Sequence, residues 1–150
     1  MPTYRFRLAT LLKLRETTRD ERRSQLAEAQ RIETLIEEQL HEVEQSMTGL
    51  LAERSRSSSP GPINVDRLLD AQRYELTLRS RDRDLRQQLA SVRLEVERRR
   101  LILAEANREV RVLETLRESQ QQQHTSAELT AEQKLLDESA LLRYAREEAF

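Results

Sequence analysis

Apolar residues recur at steps of three, four or seven along two separate stretches of the chain, and Glu33 and Arg99 occupy the seam position within each step of seven. In the first stretch the apolar residues are Leu26, Ala29, Ile36, Leu40, Val43, Met47 and Leu50. In the second they are Leu85, Leu89, Val92, Val96, Leu103, Ala106, Val110 and Leu113. This spacing is the a/d pattern of a coiled-coil seam. It predicts two long amphipathic helices, and it argues against a disordered chain.

Helix-breaking residues separate these two stretches. The run from Ser55 to Pro62 contains two of the three prolines and one of the two glycines in the chain, which is a dense turn signal. Asn64 follows, and its side-chain oxygen can accept hydrogen bonds from the free backbone amides of a helix start. We predict helix one from about residue 4 to 54, a loop over 55–63 and helix two from about 64 to 147.

A short loop makes the two helices antiparallel neighbours. The expected fold is therefore all-α, a single antiparallel coiled-coil hairpin over residues 1–150 with the second helix longer than the first. If the turn centres near Ser59, Leu50 faces Leu68 and Leu40 faces Leu78. At the rise of an α-helix, about the last 30 residues of helix two then extend beyond helix one without a partner.

Composition narrows the class of protein. The chain has 150 residues, of which 35% are charged and 3% aromatic, a net charge of -1 and no cysteine. There is therefore no disulfide or thiolate chemistry and no overall charge to attract nucleic acid or an anionic membrane. No apolar run approaches the roughly 20 residues of a membrane span. We expect a cytoplasmic protein.

Charge is unevenly distributed along the chain. Residues 1–31 hold eight basic and four acidic side chains, whereas residues 118–150 hold three basic and seven acidic ones. The segregation fits either ordinary solvated faces or a basic end that docks an acidic partner. The predicted register also places Arg19 opposite Arg99, so we expect loose packing there, with the arginine stems turned outward.

Candidate chemistry is sparse. His41 and His124 are the only histidines and lie on different predicted helices, whereas a metal site needs three or four converging ligands. Carboxylates such as Glu95 precede an arginine by four residues, here Arg99, in the order that supports a helix. The arginine run 98–100 lacks the neighbouring aromatic side chains that stack on single-stranded nucleic acid. We expect no enzyme activity, no cofactor, no metal and no nucleic-acid binding.

The function class that remains is association with other proteins. Leu51, Tyr74 and Leu76 widen the apolar stripe near the loop. They pack within the hairpin, or they form a docking patch for a partner segment.

Three sequence strings carry a family resemblance. They are YRFRLATLLKLRE over Tyr4–Glu16, VLETLRE over Val112–Glu118, and AEQKLLDESALLR over Ala131–Arg143. With the helix–loop–helix layout, they resemble the FliJ family, the coiled-coil component of the bacterial flagellar type III export apparatus. The resemblance spans nearly the whole chain.

The resemblance implies a stalk similar to the γ subunit of rotary ATPases. Such a stalk would bind in the flagellar export ATPase ring, link it to the membrane export gate, promote ring assembly and escort export chaperones. It would sit peripherally on the cytoplasmic face of the inner membrane at the flagellar base. The alternatives are the equivalent stalk of a virulence-type secretion system or of another rotary ATPase, and a generic structural coiled coil that leaves ATPase activity unchanged.

The resemblance also implies two sets of contact residues. The set expected to face the ATPase is Leu8, Leu12, Leu113, Leu116, Gln133, Lys134, Asp137 and Glu138. The set expected to face the export gate is Tyr74, Leu78 and Leu85.

Overall fold

Two helices account for nearly all of the structure. A computed structural model of the chain describes residues 3–57, 61–62 and 64–149. Helix α1 spans Ala9–Ser57 (49 residues) and helix α2 spans Val65–Glu148 (84 residues), and the described residues contain no strand. This confirms the predicted all-α hairpin in which the second helix is the longer one.

Asn64 caps the start of α2. Its Oδ1 accepts hydrogen bonds from the backbone amides of Asp66 at 3.1 Å and Arg67 at 3.4 Å. Asp66 adds a negative charge in the first turn, where the helix dipole favours it. The predicted cap is therefore confirmed. Gly61 and Pro62 are outside both helices, whereas residues 58–60 and 63 of the predicted loop lie outside the described residues.

The N-terminus is extended before α1 begins. The prediction had helix one starting near residue 4, but residues 3–6 are not helical. The amide of Ala9 donates to the carbonyl oxygen of Phe6 at 3.2 Å, and the first i to i−4 bond joins the Leu12 amide to the Leu8 carbonyl at 2.9 Å. Residues 3–8 contain no acidic side chain, which would favour an earlier helix start through the helix dipole.

Contacts divide the chain into two compact units. The terminal unit comprises Met1–Asp20 and Glu105–Phe150, and the loop unit comprises Glu21–Ala104. In each unit an early part of the chain packs against a late part, so the helix segments run antiparallel. The expectation that residues 1–150 form one domain stays a prediction.

The core of the loop unit is one row of aliphatic side chains from each helix. Met47, Ala71 and Val92 pack against this cluster from its edges. Its buried members are Ile36, Leu40, Val43, Leu50, Leu78, Leu85 and Leu89.

The pairing of the two helices differs from the predicted register. Leu68, expected opposite Leu50, is 47% exposed, whereas Leu50 is buried in the cluster that contains Leu78. Arg54 forms an ion pair with Glu75 at 2.5 Å. Relative to the prediction, α2 is therefore displaced by about two helical turns. The predicted register assumed a turn centred near Ser59, but the helix ends at Ser57 and Val65 are symmetrical about Gly61. This difference accounts for about one of the two turns.

The same displacement decides what Arg99 contacts. Its Nη1 donates to the backbone oxygen of Gln25 at 2.5 Å, and its Nε donates to Glu95 at 2.8 Å. The side chain is 28% exposed. The guanidinium therefore lies at the edge of the seam and is hydrogen-bonded to both helices. The expected pairing of Arg99 with Arg19 is replaced by this contact with Gln25. Arg19 itself pairs with its neighbour Asp20 at 3.3 Å.

The terminal unit has a smaller core. Leu12, Val110 and Leu113 are buried together, and Phe6 packs against them. Arg15 and Glu109 form an ion pair across the two helices at 3.2 Å. This cluster positions the N-terminal residues on α2.

Candidate interaction surfaces

The N-terminal segment, defined here as residues 3–8, lies along α2. The hydroxyl of Tyr4 is 3.3 Å from the backbone oxygen of Arg117 and 3.4 Å from Oε1 of Gln120, and it donates to these acceptors. Its ring centroid is 5.6 Å from that of His124. Tyr4 and Phe6 are half-buried while residues 5, 7 and 8 are exposed. This alternation is that of an extended chain with one face on α2.

The last part of α2 has no partner in the described chain. We call residues 129–149 the tail, and every one of them is exposed. Its large apolar side chains are between 62% and 70% exposed. They are Leu129, Leu135, Leu136, Leu141, Leu142 and Tyr144. The six side chains are distributed around the helix, and only two pairs, Leu129 with Leu136 and Leu135 with Leu142, are spaced by seven residues.

This concentration of exposed apolar side chains has a physical meaning. Scattered single leucines on a surface are ordinary, but clusters of exposed apolar side chains mark interaction sites. Most of the stability of a protein helix also comes from packing of its apolar side chains, which the tail lacks within the described chain. The tail is therefore the strongest candidate for a partner surface in the terminal unit.

The residues predicted to face the ATPase fall into two environments. Leu12 and Leu113 are buried against each other in the small core, whereas Leu8 and Leu116 are exposed. Gln133, Lys134, Asp137 and Glu138 are all exposed in the tail. The structure brings Leu12 and Leu113 together but shows no contact between that pair and the four tail residues.

The residues predicted to face the export gate also differ in exposure. Tyr74 is 49% exposed, whereas Leu78 and Leu85 are buried in the core of the loop unit at 5% and 6%. A partner at this surface would contact Tyr74 directly and would depend on Leu78 and Leu85 only through the hairpin that they hold together.

Two features of these surfaces lie outside the predicted site residues. The tail leucines are absent from the predicted set, which took the polar residues Gln133, Lys134, Asp137 and Glu138 between them. Tyr4 and Phe6 are absent as well. Their alternation with Arg5 and Arg7 was the available signal, because a period of two indicates an extended segment.

Ion pairs between the helices surround the core of the loop unit. Arg86 bonds Glu44 at 3.2 Å, and Arg93 bonds Glu33 at 3.5 Å and Glu37 at 3.4 Å. Exposed pairs of this kind add little to the stability of a fold. Their main effect is to fix which residues of the two helices face each other.

Local charge pairs shift two pKa values. The hydrogen bonds from Arg99 and then Arg98 hold the pKa of Glu95 below its ordinary value. The hydrogen bond and charge of Asp82 raise the pKa of Arg86. Both arginines lie four residues after their main carboxylate partner, which confirms the predicted helix-supporting pair of Glu95 and Arg99.

Among residues 3–57, 61–62 and 64–149, no group of three or more histidine, aspartate or glutamate side chains is placed to hold a metal ion. Neither described helix contains a segment long and apolar enough to cross a membrane.

The paired helices and the unpartnered tail define a coiled-coil hairpin. The family model described as Flagellar FliJ protein matches residues 4–149. The chain therefore belongs to the FliJ family, and this membership implies a role in flagellar protein export. No curated protein and no solved structure matches the chain in the corresponding comparisons.

Proposed function

We propose that this chain is the stalk of the flagellar export ATPase: it binds in the ATPase ring, promotes ring assembly and links the ring to the membrane export gate. It also escorts export chaperones and carries no catalytic activity of its own. It acts in the cytoplasm, peripherally associated with the inner membrane at the flagellar base.

The tail is the observation that carries this proposal. A generic spacer gains nothing from a helix that continues beyond its partner with leucines exposed, whereas a stalk that enters a ring needs a surface for the ring to bind. Membership of the FliJ family supports the flagellar ATPase as that partner. We propose that Tyr74 contributes to the contact with the export gate, with Leu78 and Leu85 supporting the helix beneath it.

The test compares two matched pairs of exposed leucines on α2. In one variant Leu135 and Leu142 become serine, and in the control variant Leu94 and Leu101 become serine. Both pairs are spaced by seven residues, and all four side chains are strongly exposed. Removing them therefore leaves the helix and the buried core intact.

The assay is the hydrolysis rate of the cognate flagellar export ATPase at increasing concentrations of each chain, with ring formation followed in parallel. We expect the wild-type chain and the Leu94/Leu101 variant to stimulate hydrolysis and ring formation, and the Leu135/Leu142 variant to lose most of this effect. Equal stimulation by the two variants would exclude the tail as the docking surface. No stimulation by the wild-type chain would contradict the proposed function.

A further inference from the structure

The N-terminal segment covers α2 immediately before the tail. We propose that residues 3–8 form a displaceable cover over the first part of a docking surface that continues into the tail, and that a segment of the partner takes their place. This inference rests on the proposed function, because the partner is the export ATPase ring. The segment that replaces the cover is apolar or aromatic, with basic side chains alternating along it.

Continuity of the seam is the first argument. Phe6 packs on Val110 and Leu113, and Tyr4 reaches Gln120 and His124. These α2 positions follow one another at the steps of three, four and seven that describe a single helix face. The same steps lead from His124 through Ala127 and Ala131 to Lys134 and Glu138 in the tail, where nothing in the described chain covers them.

The second argument is the weakness of the outer part of the cover. The two contacts of the Tyr4 hydroxyl are 3.3 and 3.4 Å, at the long end of the hydrogen-bond range. The Arg117 carbonyl is also an acceptor within α2, so Tyr4 is not its only partner. Residues 3–6 are not part of a helix. The segment can therefore leave while Leu12 and the rest of α1 remain packed.

The chemistry of the occupant follows from the cover and the tail together. The cover contains the sequence Tyr4-Arg5-Phe6-Arg7. Its aromatic side chains contact α2, and its arginines are exposed. The tail that continues this surface holds five acidic and three basic side chains. A replacing segment with the same alternation of apolar and basic residues complements both the apolar side chains under the cover and the acidic excess of the tail.

The chain contains no cysteine, which permits a site-specific lock. Tyr4→Cys and Gln120→Cys are combined in the full-length chain and joined by a cleavable bis-maleimide, and mass spectrometry confirms the crosslink. Each single-cysteine variant, treated with the same reagent, is the control. Tyr4→Ala loosens the cover without a crosslink, and Tyr4→Phe retains the ring while removing the hydroxyl.

The readout is the concentration of each chain that gives half-maximal stimulation of the export ATPase. We expect the crosslink to raise this concentration at least fivefold, with recovery after cleavage, and Tyr4→Ala to lower it about two- to fivefold. These factors correspond to losing or adding one or two weak contacts. Tyr4→Phe should fall between the wild-type chain and Tyr4→Ala.

The outcomes separate the two proposals. If the wild-type chain stimulates and the crosslinked chain does so at the same concentration, the cover is overturned while the proposed function stands. If Tyr4→Ala weakens stimulation, the N-terminal segment is part of the ATPase contact and the cover is again overturned. If the wild-type chain gives no stimulation, the proposed function fails, and the cover proposal fails with it.

Discussion

Replacing Leu89 by alanine tests the core of the loop unit. Leu89 is 7% exposed and lies in the cluster that contains Leu40 and Leu85. The substitution removes three carbon groups, which are worth about 0.8 kcal/mol each when buried. Leucine-to-alanine changes in protein cores lower the free energy of unfolding by about 2–5 kcal/mol, depending on the cavity that remains.

The lower part of that range applies here. A two-helix core is one layer thick, so neighbouring side chains and water can enter the space that the substitution leaves. We therefore expect the free energy of unfolding to fall by about 2–3 kcal/mol. With a urea dependence of about 1–3 kcal/mol per molar, the midpoint of urea unfolding followed by helical circular dichroism should fall by about 1 M.

Leu94→Ala is the matched control. Leu94 lies on the same helix and is 74% exposed. Its replacement by alanine should change the free energy of unfolding by less than about 0.5 kcal/mol. If the two variants unfolded at the same urea concentration, the assignment of Leu89 to the seam and Leu94 to the surface would be wrong.

Four further predictions follow from individual contacts. Leu40→Asp buries a charge without a partner, so most of the helical circular dichroism should be lost at 25 °C. Asn64→Ala removes the α2 cap and should lower the free energy of unfolding by about 1 kcal/mol, measured by urea titration, whereas Asn64→Ser should restore most of it. Arg99→Leu replaces a partly covered charge in the seam with an apolar side chain, so the melting temperature should stay equal or rise. The Glu95 pKa is lowered by folding, so this carboxylate stabilises the fold above its ordinary pKa of 4.5. This stabilisation is lost as the pH falls through the lower pKa of the folded state. The melting-temperature difference between the wild-type chain and Glu95→Gln should therefore shrink across that range.

Each of these predictions has a result that would contradict it. Unchanged helicity in Leu40→Asp would place that residue outside the core. An equal loss for Asn64→Ala and Asn64→Ser would mean that the side-chain oxygen does not cap α2. A large drop in melting temperature for Arg99→Leu would show that its bond to Gln25 stabilises the hairpin. A melting-temperature difference for Glu95→Gln that stays constant from pH 6 to acid would exclude its arginine pairs as the cause.

The helices and the start of α2 could be predicted because their signals are local. The steps of three and four identify the faces of both helices, and Asn64 after the proline and glycine cluster identifies the cap. Pairing between the helices is a different problem. A heptad pattern repeats every seven residues, so it permits several registers, and only contacts such as Arg54 with Glu75 distinguish them.

The interaction surfaces were harder to predict than the fold. Leu78 and Leu85 carry the same apolar signal whether they form the core or a docking face, and only the partner helix shows that they are buried. The longer second helix predicts an unpaired end, and the tail leucines are exposed there. Tyr4 and Phe6 fall within the predicted first helix, whereas residues 3–6 are not helical and contact α2.

The central claim is that this chain serves one export ATPase ring as its stalk. The number of chains bound per ATPase ring tests this claim most directly. The ATPase is held at a fixed concentration, well above the dissociation constant of its complex with the chain, and the chain is titrated in. The hydrolysis rate and the mass of the assembled ring are recorded at each step. A stalk predicts that stimulation reaches its plateau at one chain per ring. A plateau at one chain per ATPase subunit, or a rate that the chain does not change, would contradict the account.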